Sequence, residues 1–87
     1  MREDYKERAD LFGKVLKKIK DGMSITFTPE NVDDNDDFLI FSAYKSIKVT
    51  FKYSYSGIIN VWFDNDEPMR LEDCPTSFFR SILKNIK

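Results

Sequence analysis

Histidine is absent from this 87-residue chain, and its absence excludes several kinds of catalytic site. Without an imidazole the chain cannot form a Ser-His-Asp or Cys-His arrangement, a histidine-ligated zinc site or an imidazole acid–base catalyst. Carboxylate pairs are the remaining chemistry, since aspartate and glutamate are plentiful, but we expect no substrate cleft in so short a chain. The sequence therefore predicts a protein that is not an enzyme.

Cysteine and glycine are also scarce. Cys74 is the only cysteine, so neither an intramolecular disulfide nor a thiolate zinc site can form, and three scattered glycines make no phosphate-binding loop. Cys74 precedes a predicted helix, whose N-terminal field lowers a thiol pKa, and this makes it the best nucleophile candidate. With no histidine to serve as its base, we interpret it as a small capping or core residue. We expect no cofactor and no metal.

Long apolar runs are missing as well. No run approaches the 18 residues of a membrane span, and the first eight residues are mostly charged and lack the apolar segment of a secretory signal. We therefore expect a cytoplasmic protein without a membrane partner. The length fits one domain, residues 1–87, and a net charge of −1 does not by itself indicate nucleic-acid binding.

Two acidic segments interrupt the chain, at residues 33–37 and 64–73. The first matches an EF-hand loop at positions one, three and five, but Phe38 stands where glycine is required and Tyr44 where the bidentate glutamate belongs. We interpret it as a solvated loop. Mimicry of DNA phosphates by the two segments is disfavoured, because a simple meander places them at opposite ends of the sheet.

Helical periodicity marks two segments, one at each end of the chain. The first runs over residues 2–20, with Gly22 placed to end it and Gly13 interpreted as allowing close packing against the sheet. Its apolar stripe comprises Tyr5, Ala9, Phe12, Val15, Leu16 and Ile19. The second helix has Pro75 in its first turn and Cys74 or Asp73 near its cap. Its apolar face comprises Phe78, Phe79, Ile82, Leu83 and Ile86.

Four segments between the helices have the composition of strands: residues 23–28, 38–43, 46–55 and 58–64. Three of them alternate apolar and polar side chains, whereas 38–43 is apolar on both parities. The resulting order is α-β-β-β-β-α. This order predicts an α+β fold, in which a four-stranded antiparallel meander carries both helices on one face.

The connection between the last two strands fixes their register. A three-residue loop with Gly57 in the left-handed conformation pairs Phe51 with Val61 and keeps the apolar side chains on one face. The same register places Lys48 opposite Asp64, a favourable cross-strand charge pair.

The sheet face away from the helices is the candidate binding surface. It would carry Lys48, Thr50, Lys52, Asn60 and Trp62, joined by either Phe38 and Ile40 or Leu39 and Phe41. We assign Phe38 and Ile40 to the site. An open sheet usually presents polar residues to water, so large apolar side chains beside a tryptophan indicate a contact surface.

Three interpretations of this surface compete. The leading hypothesis is a protein partner, in the form of a phage-type inhibitor of a bacterial host or defence protein that acts in the host cytoplasm. Heavy use of Ile, Lys, Asn, Phe and Tyr indicates an AT-rich genome and motivates that form. The second is a homodimer through the same face. The third is single-stranded RNA or DNA stacked on Trp62 beside Lys48 and Lys52.

Overall fold

Two helices and four strands, in the predicted order α-β-β-β-β-α, form the part of the chain that the computed structural model describes, residues 2–32, 46–63 and 67–86. The elements are helix α1 (Arg2–Lys18), strands β1 (Ser24–Phe27), β2 (Ile47–Tyr53), β3 (Ile59–Phe63) and β4 (Met69–Arg70), a 3₁₀ turn (Leu71–Asp73) and helix α2 (Thr76–Asn85). The strands form one antiparallel sheet in the order β1-β2-β3-β4. The predicted α+β class is confirmed.

The fourth strand of this sheet is not the one that the sequence predicts. Strand β1 pairs directly with β2, with Ile25 opposite Val49. The predicted strand at residues 38–43 lies outside the described residues. The fourth place belongs to β4, within the segment predicted to be polar and irregular. Two residues are too few to show an alternating pattern, and this strand therefore carries no recognisable signal in the sequence.

The predicted register of β2 and β3 is confirmed. Phe51 lies opposite Val61, and the Ser54 amide donates a 2.8 Å hydrogen bond to the Ile58 carbonyl just before the turn. Gly57 has a φ of +82°, the left-handed conformation that the three-residue loop requires. Because this register is kept, all apolar side chains of β2 and β3 except Trp62 share one face.

This inner face of the sheet packs against both helices. The fully buried side chains of the core include Phe27, Val49, Phe51 and Val61 from the sheet and Val15, Phe78, Phe79 and Ile82 from the helices. The Phe78 ring lies 5.7 Å from that of Phe27 and 6.0 Å from that of Phe63, centroid to centroid. Burying one such ring contributes roughly 1.5–3 kcal/mol. Phe78 therefore joins α2 to two strands.

Helix α1 is rotated from the orientation that its apolar stripe predicts. Val15 and Ile19 are buried as expected, but Tyr5 is 75% exposed, Leu16 is 39% exposed and Ala9 is also exposed. The assignment of these three residues to the core is wrong. Periodicity locates an apolar stripe, but only contacts with α2 and the sheet decide which edge of a wide stripe is covered.

The glycines of α1 and the following turn have different roles. A Cβ added at Gly13 would meet no atom within 4 Å, so the predicted close packing at this position is wrong. Gly22, with a φ of +82°, lies in the turn that follows the helix, and its amide donates a 2.7 Å hydrogen bond to the Phe51 carbonyl. Of these two glycines, Gly22 therefore needs the conformational freedom of glycine and Gly13 does not.

The N-cap of helix α2 lies one residue after Cys74, the later of its two predicted positions. Pro75 takes the N-cap position, and Cys74 before it is fully buried, as is Leu71 in the 3₁₀ turn. The remaining predicted apolar residues of α2 pack in or against the core. Neither described helix is long and apolar enough to cross a bilayer.

Candidate functional site: the outer face of the sheet

The candidate site is the outer face of the sheet, opposite the face that packs on the helices. Side chains alternate along each strand, so the register of the four strands settles which residues share this face. The outer face comprises Ser24, Thr26, Lys48, Thr50, Lys52, Asn60, Trp62 and Arg70. Most are exposed, whereas Thr50 and Asn60 are half-buried.

The five predicted site residues that the structure describes lie together on this face. Trp62 lies directly opposite Thr50, and Asn60 lies opposite Lys52. The other two predicted residues, Phe38 and Ile40, fall outside the described residues, as do Leu39, Phe41 and the expected partner of Lys48, Asp64. The described part of the face is therefore polar and cationic around Trp62.

Three residues of the outer face were not predicted from the sequence. Ser24 and Thr26 come from β1, whose polar parity was recognised but whose place beside β2 was not. Arg70 comes from β4 and lies opposite Asn60. Because β4 has only two residues, no alternating pattern in the sequence marks Arg70 as part of this face. Arg70 adds a cation to the predicted set.

Trp62 is paired with a lysine across the strands. Its side chain is 41% exposed, and the Lys52 ammonium lies over its ring, 5.5 Å from the centroid. An exposed cation–π contact of this kind contributes about 0.5–1 kcal/mol. The contact therefore covers one side of the indole and leaves part of the ring accessible.

Three neighbouring strands contribute one residue each to a cationic row, which consists of Lys52, Asn60 and Arg70. Adjacent strands lie about 4.8 Å apart, so the backbones of Lys52 and Arg70 are separated by about 10 Å. The Arg70 Nη1 atom lies 3.3 Å from Oε1 of Glu72, and both side chains are more than half exposed. Such a surface ion pair contributes at most about 1 kcal/mol, so Arg70 can exchange Glu72 for another anion.

Hydroxyl groups continue the outer face toward β1. The hydroxyl oxygens of Ser24 and Thr50 are 3.4 Å apart, next to Trp62. The four described strands contain no aspartate or glutamate. This arrangement can attract an anion, donate hydrogen bonds to it and pack a flat or apolar group against the indole.

Cys74, the candidate nucleophile of the sequence, lies on the other side of the sheet. Its side chain is fully buried, and its thiol donates a 3.5 Å hydrogen bond to the Arg70 carbonyl. Burial raises the pKa of the Cys74 thiol from 9.0 to about 12, although the nearby Arg8 opposes that shift. An activated thiol requires a shift in the opposite direction.

A groove beside α1 is a second surface that could receive a ligand. Its walls are Tyr5, Arg8, Ala9, Phe12 and Glu72. The Arg8 guanidinium already donates to the Glu72 carbonyl at 2.6 Å and to the Thr76 hydroxyl at 3.3 Å. Arg8 therefore joins α1 to the start of α2, and its guanidinium already has hydrogen-bond acceptors within the fold.

Metal ligands do not cluster in the part of the chain that the structure describes, where no three histidine, cysteine or acidic side chains are grouped to hold an ion. The acidic residues 33–37 lie outside that part. Within it, the outer face brings Trp62 together with two lysines and an arginine. Comparison of the chain with protein-family models, with curated proteins and with solved structures gave no match.

Proposed function

We propose that this chain is a non-enzymatic binding module whose outer face contacts a protein partner. The observation that carries the proposal is the position of Trp62 between cations, with Lys52 over its ring and Arg70 one strand away. Tryptophan and arginine are the residues most enriched at the centres of protein interfaces. Both helices lie on the inner face, so they leave Trp62 accessible.

The contact between Lys52 and Trp62 favours a protein partner over a stacked base. A base that stacks on the indole from the Lys52 side must first displace the ammonium from the ring. A protein side chain can instead pack on the exposed part of the ring, while an acceptor takes a hydrogen bond from the ammonium. The existing contact then becomes part of the interface.

Affinity capture with matched aromatic variants tests this proposal. Proteins captured by the wild-type chain should be lost with Trp62→Ala and retained with Tyr55→Ala, because Tyr55 is fully exposed at the tip of the β2–β3 turn. Equal urea midpoints for the two variants would exclude a folding defect. Capture that is indifferent to Trp62 would refute the proposal.

The finer form of the proposal is an inhibitor of a bacterial host or defence protein, encoded by a phage and active in the host cytoplasm. The residue usage of an AT-rich genome and the small size of the chain support it. Bacterial lysates are accordingly the source for the capture experiment. Suppose that the capture of a bacterial protein depends on Trp62. A fall in the activity of that protein on addition of the chain would support this form of the proposal, and unchanged activity would refute it.

Single-stranded nucleic acid is the second candidate partner, and Arg70 is the observation that favours it. Arg70 extends the predicted track of Lys48 and Lys52, both on β2, to strand β4, and Trp62 lies on the strand between them. Fluorescence anisotropy of labelled oligonucleotides at two salt concentrations tests this candidate. Binding should weaken with salt, and the slope should fall when Lys52→Ala and Arg70→Ala remove two phosphate contacts. Salt-independent binding would refute it.

A further inference from the structure

We infer that the outer face recognises an acidic peptide segment, whose carboxylates bind to the cationic row of Lys52, Asn60 and Arg70. The inference rests on the proposed function and names the chemistry of the protein partner. Three strands place an ammonium, an amide and a guanidinium side by side on the same face. All three groups can donate hydrogen bonds, and two of them carry a positive charge.

Charge segregation on the sheet supports an acidic occupant. The chain as a whole has a net charge of −1, yet its four described strands contribute two lysines and one arginine to the outer face and no acidic residue. Among the residues that the structure describes, a carboxylate in contact with the row is that of Glu72, in the 3₁₀ turn beside Arg70. That contact shows the geometry by which Arg70 binds a carboxylate from a neighbouring segment.

The area of the four described strands favours a short segment over a second globular surface. Four strands span about 15 Å across the sheet, and the seven residues of β2 span about 24 Å along it. The product is roughly 350 Å², whereas each partner in a standard protein–protein interface buries about 800 Å². A flat contact with a second copy of this chain would bury less area than a standard interface. An extended peptide can bind without burying that much area.

The spacing of the cationic row indicates which segment fits. Lys52 and Arg70 stand about 10 Å apart across two strand spacings. In an extended polyproline-type segment, residues three apart share one side and are separated by about 9 Å. Two acidic residues in an Asp/Glu-x-x-Asp/Glu pattern can therefore reach both cations, and an adjacent apolar residue can pack on Trp62.

Trp62 supplies the readout for the test because it is the only tryptophan of the chain and lies under the Lys52 ammonium. The probe is the blocked peptide Glu-Pro-Pro-Glu-Leu, titrated while indole emission is followed, and its matched control is Gln-Pro-Pro-Gln-Leu. We expect the glutamate peptide to change the emission saturably and to weaken with salt. The glutamine peptide should leave the emission unchanged.

Matched variants locate the binding. Lys52→Gln and Arg70→Gln should each raise Kd about two- to fivefold, the effect expected for loss of one exposed charge pair. Lys18→Gln removes the same charge from α1 and should leave Kd unchanged. Since Lys52→Gln also changes the Trp62 environment, its Kd is measured by anisotropy of a labelled peptide. Equal urea midpoints would show that all three variants are folded.

The outcomes separate this inference from the proposed function. Equal binding of the two peptides, or no binding of either while Trp62-dependent capture persists, would overturn the acidic segment and leave the protein partner in place. Binding of a ten-residue oligothymidine, lost in Lys52→Gln and Arg70→Gln, with no peptide binding would overturn it in favour of nucleic acid. Protein capture that is the same for wild type and Trp62→Ala would instead refute the proposed function.

Discussion

The guanidinium of Arg8 in α1 lies over the ring of Phe79 in α2, 4.8 Å from its centroid. The same group donates hydrogen bonds to the Glu72 carbonyl and the Thr76 hydroxyl, so one side chain joins the first helix to the start of the second. Arg8 and Thr76 are 68 residues apart in the chain, and no local pattern in the sequence indicates that they meet.

Arg8→Lys should destabilise the fold although it keeps the charge. An ammonium cannot reproduce two hydrogen bonds and a stacked contact in one plane, so we expect a loss of about 1–2 kcal/mol in the free energy of unfolding, measured with urea. Lys14→Ala is the control, because its 3.2 Å pair with Asp10 lies on the surface of α1 and should contribute under about 0.5 kcal/mol. Equal losses would contradict the joining role of Arg8.

Two glycines should respond to alanine in opposite directions. At Gly57, with a φ of +82°, an added Cβ is strained and should cost about 1–2 kcal/mol. At Gly13, inside α1, a Cβ meets nothing within 4 Å, so alanine should stabilise the protein by about 0.5–1 kcal/mol. Thermal and urea unfolding measure both. A destabilising Gly13→Ala would show that the helix needs a close approach there.

The buried thiol of Cys74 should make stability fall at high pH. Burial raises its pKa from 9.0 to about 12, so between these values the unfolded chain releases the proton while the folded chain keeps it. The stabilisation is complete below pH 9 and falls by up to about 1.4 kcal/mol per pH unit above it. The stability advantage of wild type over Cys74→Ala should therefore shrink by about 2 kcal/mol between pH 8 and about pH 10.5. An unchanged difference would mean that the folded thiol ionises normally.

Removal of the Lys52 side chain should expose the indole of Trp62. Lys52→Ala should increase quenching of the Trp62 emission by acrylamide and reduce stability by about 0.5–1 kcal/mol, because the ammonium over the ring is lost. Lys18→Ala, on α1, should leave the quenching unchanged. If quenching were the same in Lys52→Ala as in wild type, the lysine would not cover the ring in solution.

Strands β2 and β3 illustrate what local pattern can predict. Their alternation of apolar and polar residues, together with the turn at Gly57, was sufficient to place Phe51 opposite Val61 and Trp62 opposite Thr50. Side-chain direction has a period of two residues, and a shift by one residue would bury Lys52 and expose Phe51. Burial of one face therefore excludes a shift by one residue, and the three-residue loop at Gly57 selects among the registers that remain.

The sequence failed to predict packing wherever an apolar pattern was compatible with more than one neighbouring element. Tyr5, Ala9 and Leu16 continue the apolar stripe of α1 but lie at its exposed edge. The pairing of β1 with β2 was likewise not indicated by the pattern of either strand. Apolar composition indicates that burial of a segment stabilises the fold. It does not indicate which surface the segment packs against.

The sequence by itself determined the α+β class, the two helices that flank the strands, the β2–β3 register and the common face of Lys48, Thr50, Lys52, Asn60 and Trp62. These depend on periodicity and turn chemistry, which act over a few residues. Tertiary structure alone decided that Arg70 joins that face, that Cys74 is enclosed and that Arg8 connects the helices. Each of these depends on contacts between distant segments, where packing of the whole core selects among arrangements that local preferences leave equal.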